Sequence, residues 1–186
     1  MSLTDDTLFN GRLICRQHQD GYRFSLDAVL LAHFCQPVPR SHLLDLGTGC
    51  GIISLILCYR HPDLQITGLE VQPALAELAQ SNSQANKLEN RFMVQQGDLR
   101  RIKNAFQAES YDLVFSNPPY HKVGCGRINQ EDEQAIARHE LSADPESVIA
   151  ASAFSVKNRG RVACIYPAER LGSVLAVMMK KHHTKH

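Results

Sequence analysis

From position 43 onward, five short apolar runs alternate with longer stretches of helical spacing. Residues 43–46, 65–69, 92–95, 111–115 and 161–165 are predicted strands, rich in Leu, Ile, Val and Phe and closed by turn residues. The intervening pattern predicts helices near 51–60, 73–87, 145–157 and 168–181, and a shorter one over 99–107. A lead-in of residues 1–42 carries one predicted helix, over 26–32. Strand–helix alternation of this kind predicts an α/β fold, a mostly parallel sheet with helices on both faces. One domain is expected, with 43–186 as its body and 1–42 as a segment lying against it. Ligands of such sheets bind beyond the carboxyl ends of the strands, so function is read from the residues that follow each strand.

Composition narrows the class. The chain has 186 residues, 44% hydrophobic and 21% charged, which suits one domain with a buried core and excludes low-complexity disorder. No run approaches the roughly 18 apolar residues of a membrane helix, and residues 1–10 are acidic and polar, unlike a secretion signal. A cytoplasmic location with no membrane partner is expected. The six cysteines, at 15, 35, 50, 58, 125 and 164, have neither C-x-x-C nor zinc-finger spacing, so reduced thiols and no metal are expected. Twenty basic against nineteen acidic side chains give +1, which offers a nucleic-acid reading no support from net charge and leaves a local basic patch open.

The first predicted strand runs into Asp45-Leu46-Gly47-Thr48-Gly49-Cys50-Gly51-Ile52. Glycines at 47, 49 and 51 allow a sharp turn and close approach of a ligand to a helix N-terminus. No Lys-Ser/Thr pair follows, which excludes a P-loop, and a dinucleotide fingerprint would need its third glycine at Ile52. The remaining pattern, an acidic residue followed by G-x-G-x-G, resembles the first motif of S-adenosylmethionine-dependent methyltransferases. A flexible turn is the bland alternative. Glu70, before Val71, ends the second strand, and Asp98, before Leu99, follows the third. Each alone reads as a solvated or capping residue. Together they describe an adenosine pocket, Glu70 accepting from ribose hydroxyls and Asp98 from the adenine amine.

The fourth strand ends in Phe115-Ser116-Asn117-Pro118-Pro119-Tyr120. Two prolines force the chain out of the ladder. The motif resembles the N-P-P-Y signature of methyltransferases acting on planar amino groups, namely adenine N6, guanine N2 or a glutamine amide. An exocyclic amine is a weak nucleophile because its lone pair is delocalised. Asn117 and the Pro118 carbonyl can each accept one amine N–H, holding the nitrogen in line with a sulfonium methyl, while Tyr120 stacks on the plane.

The segment from Gly21 to Ala32 (G-Y-R-F-S-L-D-A-V-L-L-A) also resembles the bacterial valine-tRNA adenine-N6 methyltransferase family. The resemblance implies a Rossmann-like class I methyltransferase fold, S-adenosylmethionine as cofactor and a tRNA as partner. It also implies that residues 1–42 help close the cofactor pocket, with Phe24 and Asp27 among the cofactor contacts. Ser25 or Asp27 capping a helix is the alternative for that segment. The cofactor set implied is Phe24, Asp27, Asp45, Gly47, Thr48, Gly49, Gly51, Glu70, Val71, Asp98, Leu99 and Asn117. Beyond the turn, the His121–Arg127 stretch and Ala137-Arg138-His139-Glu140 also resemble the family, so Pro119, Tyr120, Lys122, Arg127 and Arg138 are the expected substrate contacts, with a solvated loop as the other reading. Such folds end in two further strands, absent before His186. The fifth strand is therefore expected to be an open edge, available to a second copy of the chain. The alternatives are a glutamine methyltransferase of release factors, a ribosomal-RNA amino methyltransferase and, from another class, a non-catalytic cofactor-binding protein.

Overall fold

The computed structural model describes residues 2–19, 23–118 and 144–183. Strands β3 (His42–Leu46), β4 (Gln65–Glu70), β5 (Phe92–Gln96), β6 (Tyr111–Ser116) and β7 (Val156–Cys164) form one parallel sheet in the order β5-β4-β3-β6-β7. The order reverses at β3, so the crevice beyond its carboxyl end, between β4 and β6, is the topological switch point where such sheets hold ligands. This is the parallel sheet expected from the alternation, in the Rossmann-like order that the family resemblance implies. Among the described residues β7 is an edge strand.

Helices α1 (Leu26–Phe34), α2 (Ile52–Arg60) and α3 (Pro73–Ala85) share a core with one sheet face. Helix α4 (Pro145–Ser155) and the 3-10 helix Leu99–Asn104 share a second core with the other. The pleat explains the split. Leu43 of β3 enters the first core and Leu44 and Leu46 the second, while Ile66 and Leu69 of β4 divide the same way. Asp45, two residues from Leu43, and Glu70, four from Ile66, therefore project toward α1, α2 and α3.

Three departures from the pattern stand out. Residues 156–157, expected in a helix, open β7, whose register on β6 shifts between Tyr111 and Leu113. The expected helix over 168–181 begins as a 3-10 turn, Ala168–Arg170, before α5 (Leu171–His183). The third difference is larger. The lead-in contains an antiparallel hairpin of β1 (Leu3–Leu8) and β2 (Leu13–His18) that the hydropathy pattern did not announce. β1 is mostly polar and becomes a strand only by pairing with β2, whose Leu13, Cys15 and Gln17 are all buried. Phe9 at the hairpin tip stacks on Tyr59 of α2, with ring centroids 4.3 Å apart. Along its length, Ile14 N donates to Asn86 Oδ1 (2.9 Å), Asn86 Nδ2 to Ile14 O (2.7 Å) and Arg16 N to Asn82 Oδ1 (2.9 Å). Two amide side chains thus satisfy the free edge of β2 as a third strand would.

Candidate active site

The loop after β3 is shaped by backbone conformations that favour glycine: φ is +73° at Gly47, +59° at Gly49 and +86° at Gly51. The three glycines serve different purposes. A Cβ on Gly47 or Gly49 would meet nothing within 4 Å, so their faces are open to a ligand. A Cβ on Gly51 would lie 2.8 Å from Phe92 Cε1. Gly51 is buried at the N-cap of α2, where it lets that helix close onto β5.

Two carboxylates brace the loop from below. Asp45 is fully buried, and its Oδ2 accepts from Thr48 Oγ1 and Ser54 Oγ, both at 2.7 Å. Its Oδ1 has no partner among the described residues. Burial pushes the Asp45 carboxyl up to about 7; the two hydroxyl hydrogen bonds pull it down, and the nearby Glu70 charge adds to the rise. Glu70, also buried, accepts from Gly49 N through Oε2 (2.9 Å) and from Gln72 N through Oε1 (3.0 Å). Each of its oxygens keeps lone-pair capacity for a hydroxyl donor.

Asp98 is placed differently. It caps the 3-10 helix by accepting from Arg100 N (2.9 Å), and Arg100 Nη2 lies 2.6 Å from its Oδ2. The Arg100 guanidinium holds its carboxyl below the usual range. A ligand amine would share Asp98 with Arg100. Leu99 is buried beside it, while Val71 stays 39% exposed just past Glu70.

The end of β6 is tied to the end of β3, because Ser116 Oγ donates to Leu46 O at 2.7 Å. Asn117 therefore leaves the sheet beside Gly47. A small cavity of about 60 Å³ opens there, lined by Asn117, Gly47, Thr48, Gly49, Cys50 and Phe24, among others. A larger cavity of about 490 Å³, near Arg40, His42 and Asp112, lies at the opposite ends of the strands. The smaller one occupies the position where α/β sheets bind ligands.

Phe24 reaches the cavity because its N–H donates to Gln17 Oε1 at 2.7 Å. Asp27, in the first turn of α1, is half-buried and does not line the cavity. Ser25 stands at the N-cap of α1 without a side-chain capping bond. Pro118 is buried. Pro119, Tyr120, Lys122, Arg127 and Arg138 lie outside the described residues.

Several residues of this site carried no sequence signal. Gln17 and His18 of β2 line the cavity, and neither His18 ring nitrogen has a partner among the described residues. Asn82 of α3 also donates to Arg16 O (3.0 Å) and Cys50 O (2.9 Å), linking the hairpin to the glycine loop. Residues 13–18, Leu-Ile-Cys-Arg-Gln-His, do not alternate apolar with polar, so β2 carried no such hint. Nothing local marks Asn82.

These features fit an adenosine-bearing ligand: an open glycine turn, a strand-end carboxylate with spare lone pairs, an orphaned carboxylate oxygen beneath, and an asparagine at the rim. Residues 26–143 match the profile of the methyltransferase small domain. The chain belongs to that family. Among its relatives, a tRNA1(Val) (adenine(37)-N6)-methyltransferase of Porphyromonas gingivalis is 33% identical over 156 residues, covering 80% of this chain and 60% of that protein. A protein of the same name from a Flavobacteriaceae bacterium is 28% identical, covering 82% and 62%. The chain thus spans about 60% of the length of these relatives. The fold of this family member resembles the crystal structure of a predicted O-methyltransferase from Agrobacterium tumefaciens, with a TM-score of 0.64 at 20% identity over 81% of this chain and 65% of that one. Among the described residues, no helix is long and apolar enough to cross a membrane, and no His/Cys/Asp/Glu group could hold a metal ion.

Proposed function

We propose that this chain binds S-adenosylmethionine and transfers its methyl group to an exocyclic amino nitrogen, adenine N6 of a tRNA, as the names of its relatives state for them. The observation that carries this reading is the shared cavity of Asn117 and the Gly47–Gly49 turn. Asn117 shares that cavity with the turn, which supports the reading of its side chain as an acceptor for the target amine.

When bound, the cofactor supplies an electrophilic sulfonium methyl. The rest of the work falls to the chain. Glu70 accepts from ribose hydroxyls, and the open faces of Gly47 and Gly49 admit the ligand backbone-close. Phe24, held by Gln17, covers the pocket from the lead-in, which is the role we assign to residues 1–42. Asn117 Oδ1 and the Pro118 carbonyl accept the two N–H groups of the target amine and draw its lone pair out of the ring. Tyr120 stacks on the base, and Lys122, Arg127 and Arg138 meet phosphate or base. The nitrogen becomes acidic once methylated, so its proton leaves to water without a dedicated base. A target adenine in folded RNA must first be unstacked.

The test offers labelled S-adenosylmethionine with unmodified total tRNA and, separately, a release factor. Label recovered as N6-methyladenosine in tRNA, and lost in Asn117→Ala, is the expected result. Label in the release factor instead would replace the substrate with a glutamine amide. Donor binding with no label in either would make the chain a non-catalytic binding module.

A further inference from the structure

Cys50 sits between Gly49 and Gly51 in the glycine loop and lines the small cavity. Cys15 is fully buried in β2. Their sulfurs are 3.7 Å apart, with the Cys15 thiol donating to Cys50 Sγ. The two come from segments 35 residues apart, brought together by the docked hairpin.

We propose that Cys15 and Cys50 are an oxidant-responsive pair, closing to a disulfide when a peroxide reaches Cys50 through the cavity. The roles divide by position. Cys50 stands one residue before the N-cap of α2, and the hydrogen bond from Cys15, together with the Ile52 backbone N–H, holds its thiol below the usual value. The Cys15 thiol is pushed up by that same pairing and by burial, so it keeps its proton. Cys50 is therefore the attacking sulfur and Cys15 the resolving one. The Cys50 thiolate displaces hydroxide from hydrogen peroxide and becomes a sulfenic acid. The Cys15 sulfur then attacks that sulfur, forming the S–S bond and releasing water. In sum, two thiols and one peroxide give one disulfide and two waters, with two electrons passing from sulfur to peroxide oxygen.

Asn82 already clamps both flanks of the pair, bonding Arg16 O at 3.0 Å and Cys50 O at 2.9 Å. A disulfide requires the sulfurs to close from 3.7 Å to about 2.05 Å. That closure draws Cys50 toward β2 and tilts the turn whose Gly49 N–H bonds Glu70. On the reading of this cavity as the methyl-donor pocket, oxidation weakens donor binding and a bound donor shields Cys50.

The experiment treats the 186-residue chain with hydrogen peroxide, with and without S-adenosylhomocysteine, and maps disulfide-linked peptides by mass spectrometry. Calorimetry measures S-adenosylhomocysteine affinity before oxidation, after it, and after dithiothreitol. The expected result is a linked peptide joining positions 15 and 50, formed more slowly with ligand present, and at least tenfold weaker binding that dithiothreitol restores. Cys15→Ala should give no linked peptide, and its Cys50 should be trapped by dimedone. Both thiols remaining free, or linkage through other cysteines, would overturn the proposal. So would a 15–50 linkage that leaves affinity unchanged. If the reduced chain binds no S-adenosylhomocysteine, the donor reading fails, and the 15–50 linked peptide alone decides the fate of the pair.

Discussion

Asn82 Nδ2 donates to Cys50 O at 2.9 Å, joining the last turn of α3 to the apex of the glycine loop. The same side chain accepts from Arg16 N and donates to Arg16 O. One buried amide therefore sets the distance between the lead-in hairpin and the turn that faces the cavity. Asn82→Ala strands three backbone groups in the interior. The expected loss is about 2–4 kcal/mol, read by urea unfolding. S-adenosylhomocysteine binding should weaken with it. An unchanged unfolding midpoint would show the hairpin to be independent of α3.

The glycines of the loop should separate by experiment. Gly51→Ala combines φ +86° with a contact of 2.8 Å to the Phe92 ring, so a loss of ~2–4 kcal/mol in stability is expected. Gly47→Ala meets only the backbone penalty, about 1 kcal/mol, because its face is open. Its larger effect should be on ligand affinity. Thermal unfolding and calorimetry on the two variants distinguish a packing glycine from a ligand-facing one.

Asp45 gives a pH signature of stated sign. Its folded-state carboxyl lies at about 7, above the ordinary value of 3.8. Between those limits the folded chain holds a proton that the unfolded chain releases, so this group lowers stability as pH rises from about 4 to 7. The full span corresponds to roughly 4 kcal/mol, as an order of magnitude. Asp45→Asn removes the titration. The stability difference between variant and wild type should therefore shift in the variant's favour across that window. A difference that does not change with pH would remove Asp45 as the titrating group.

Glu70→Gln replaces one acceptor oxygen with a donor facing either Gly49 N or Gln72 N. At least tenfold weaker S-adenosylhomocysteine binding is expected, with the fold retained by circular dichroism. Full affinity would detach Glu70 from the ribose.

Asn117→Ala should leave donor affinity within about threefold of wild type and lower the methyl-transfer rate by ~100-fold or more. Single-turnover kinetics separates the two. Equal losses in both would make Asn117 a binding residue only.

The alternation of β3 to β7 with their helices was legible because each strand carries a short apolar run, which β3, β4 and β6 bury while β5 and β7 stay largely exposed. The glycine loop and the Asn117–Pro118 turn were legible because their chemistry is local: positive φ selects glycine, and proline ends a ladder. Glu70 and Asp98 were legible as positions, yet their partners were not. The Gly49 N–H reaches Glu70 only through the fold of the loop, whereas Arg100, two residues on from Asp98, is the local partner of a capping residue.

What the sequence determined by itself is the order of elements and the residue types at the strand ends, since both follow from side-chain period and backbone preference over a few neighbours. What tertiary structure alone decided is the hairpin, the Asn82 and Asn86 clamps, the Gln17–Phe24 contact and the Cys15–Cys50 approach. Each joins a residue of β2 to a segment with its own local logic. β1 carries too little apolar surface to specify a strand. It becomes one because β2 satisfies its backbone, and β2 in turn stays in place because Asn82 of α3 and Asn86 at its C-cap satisfy the other edge.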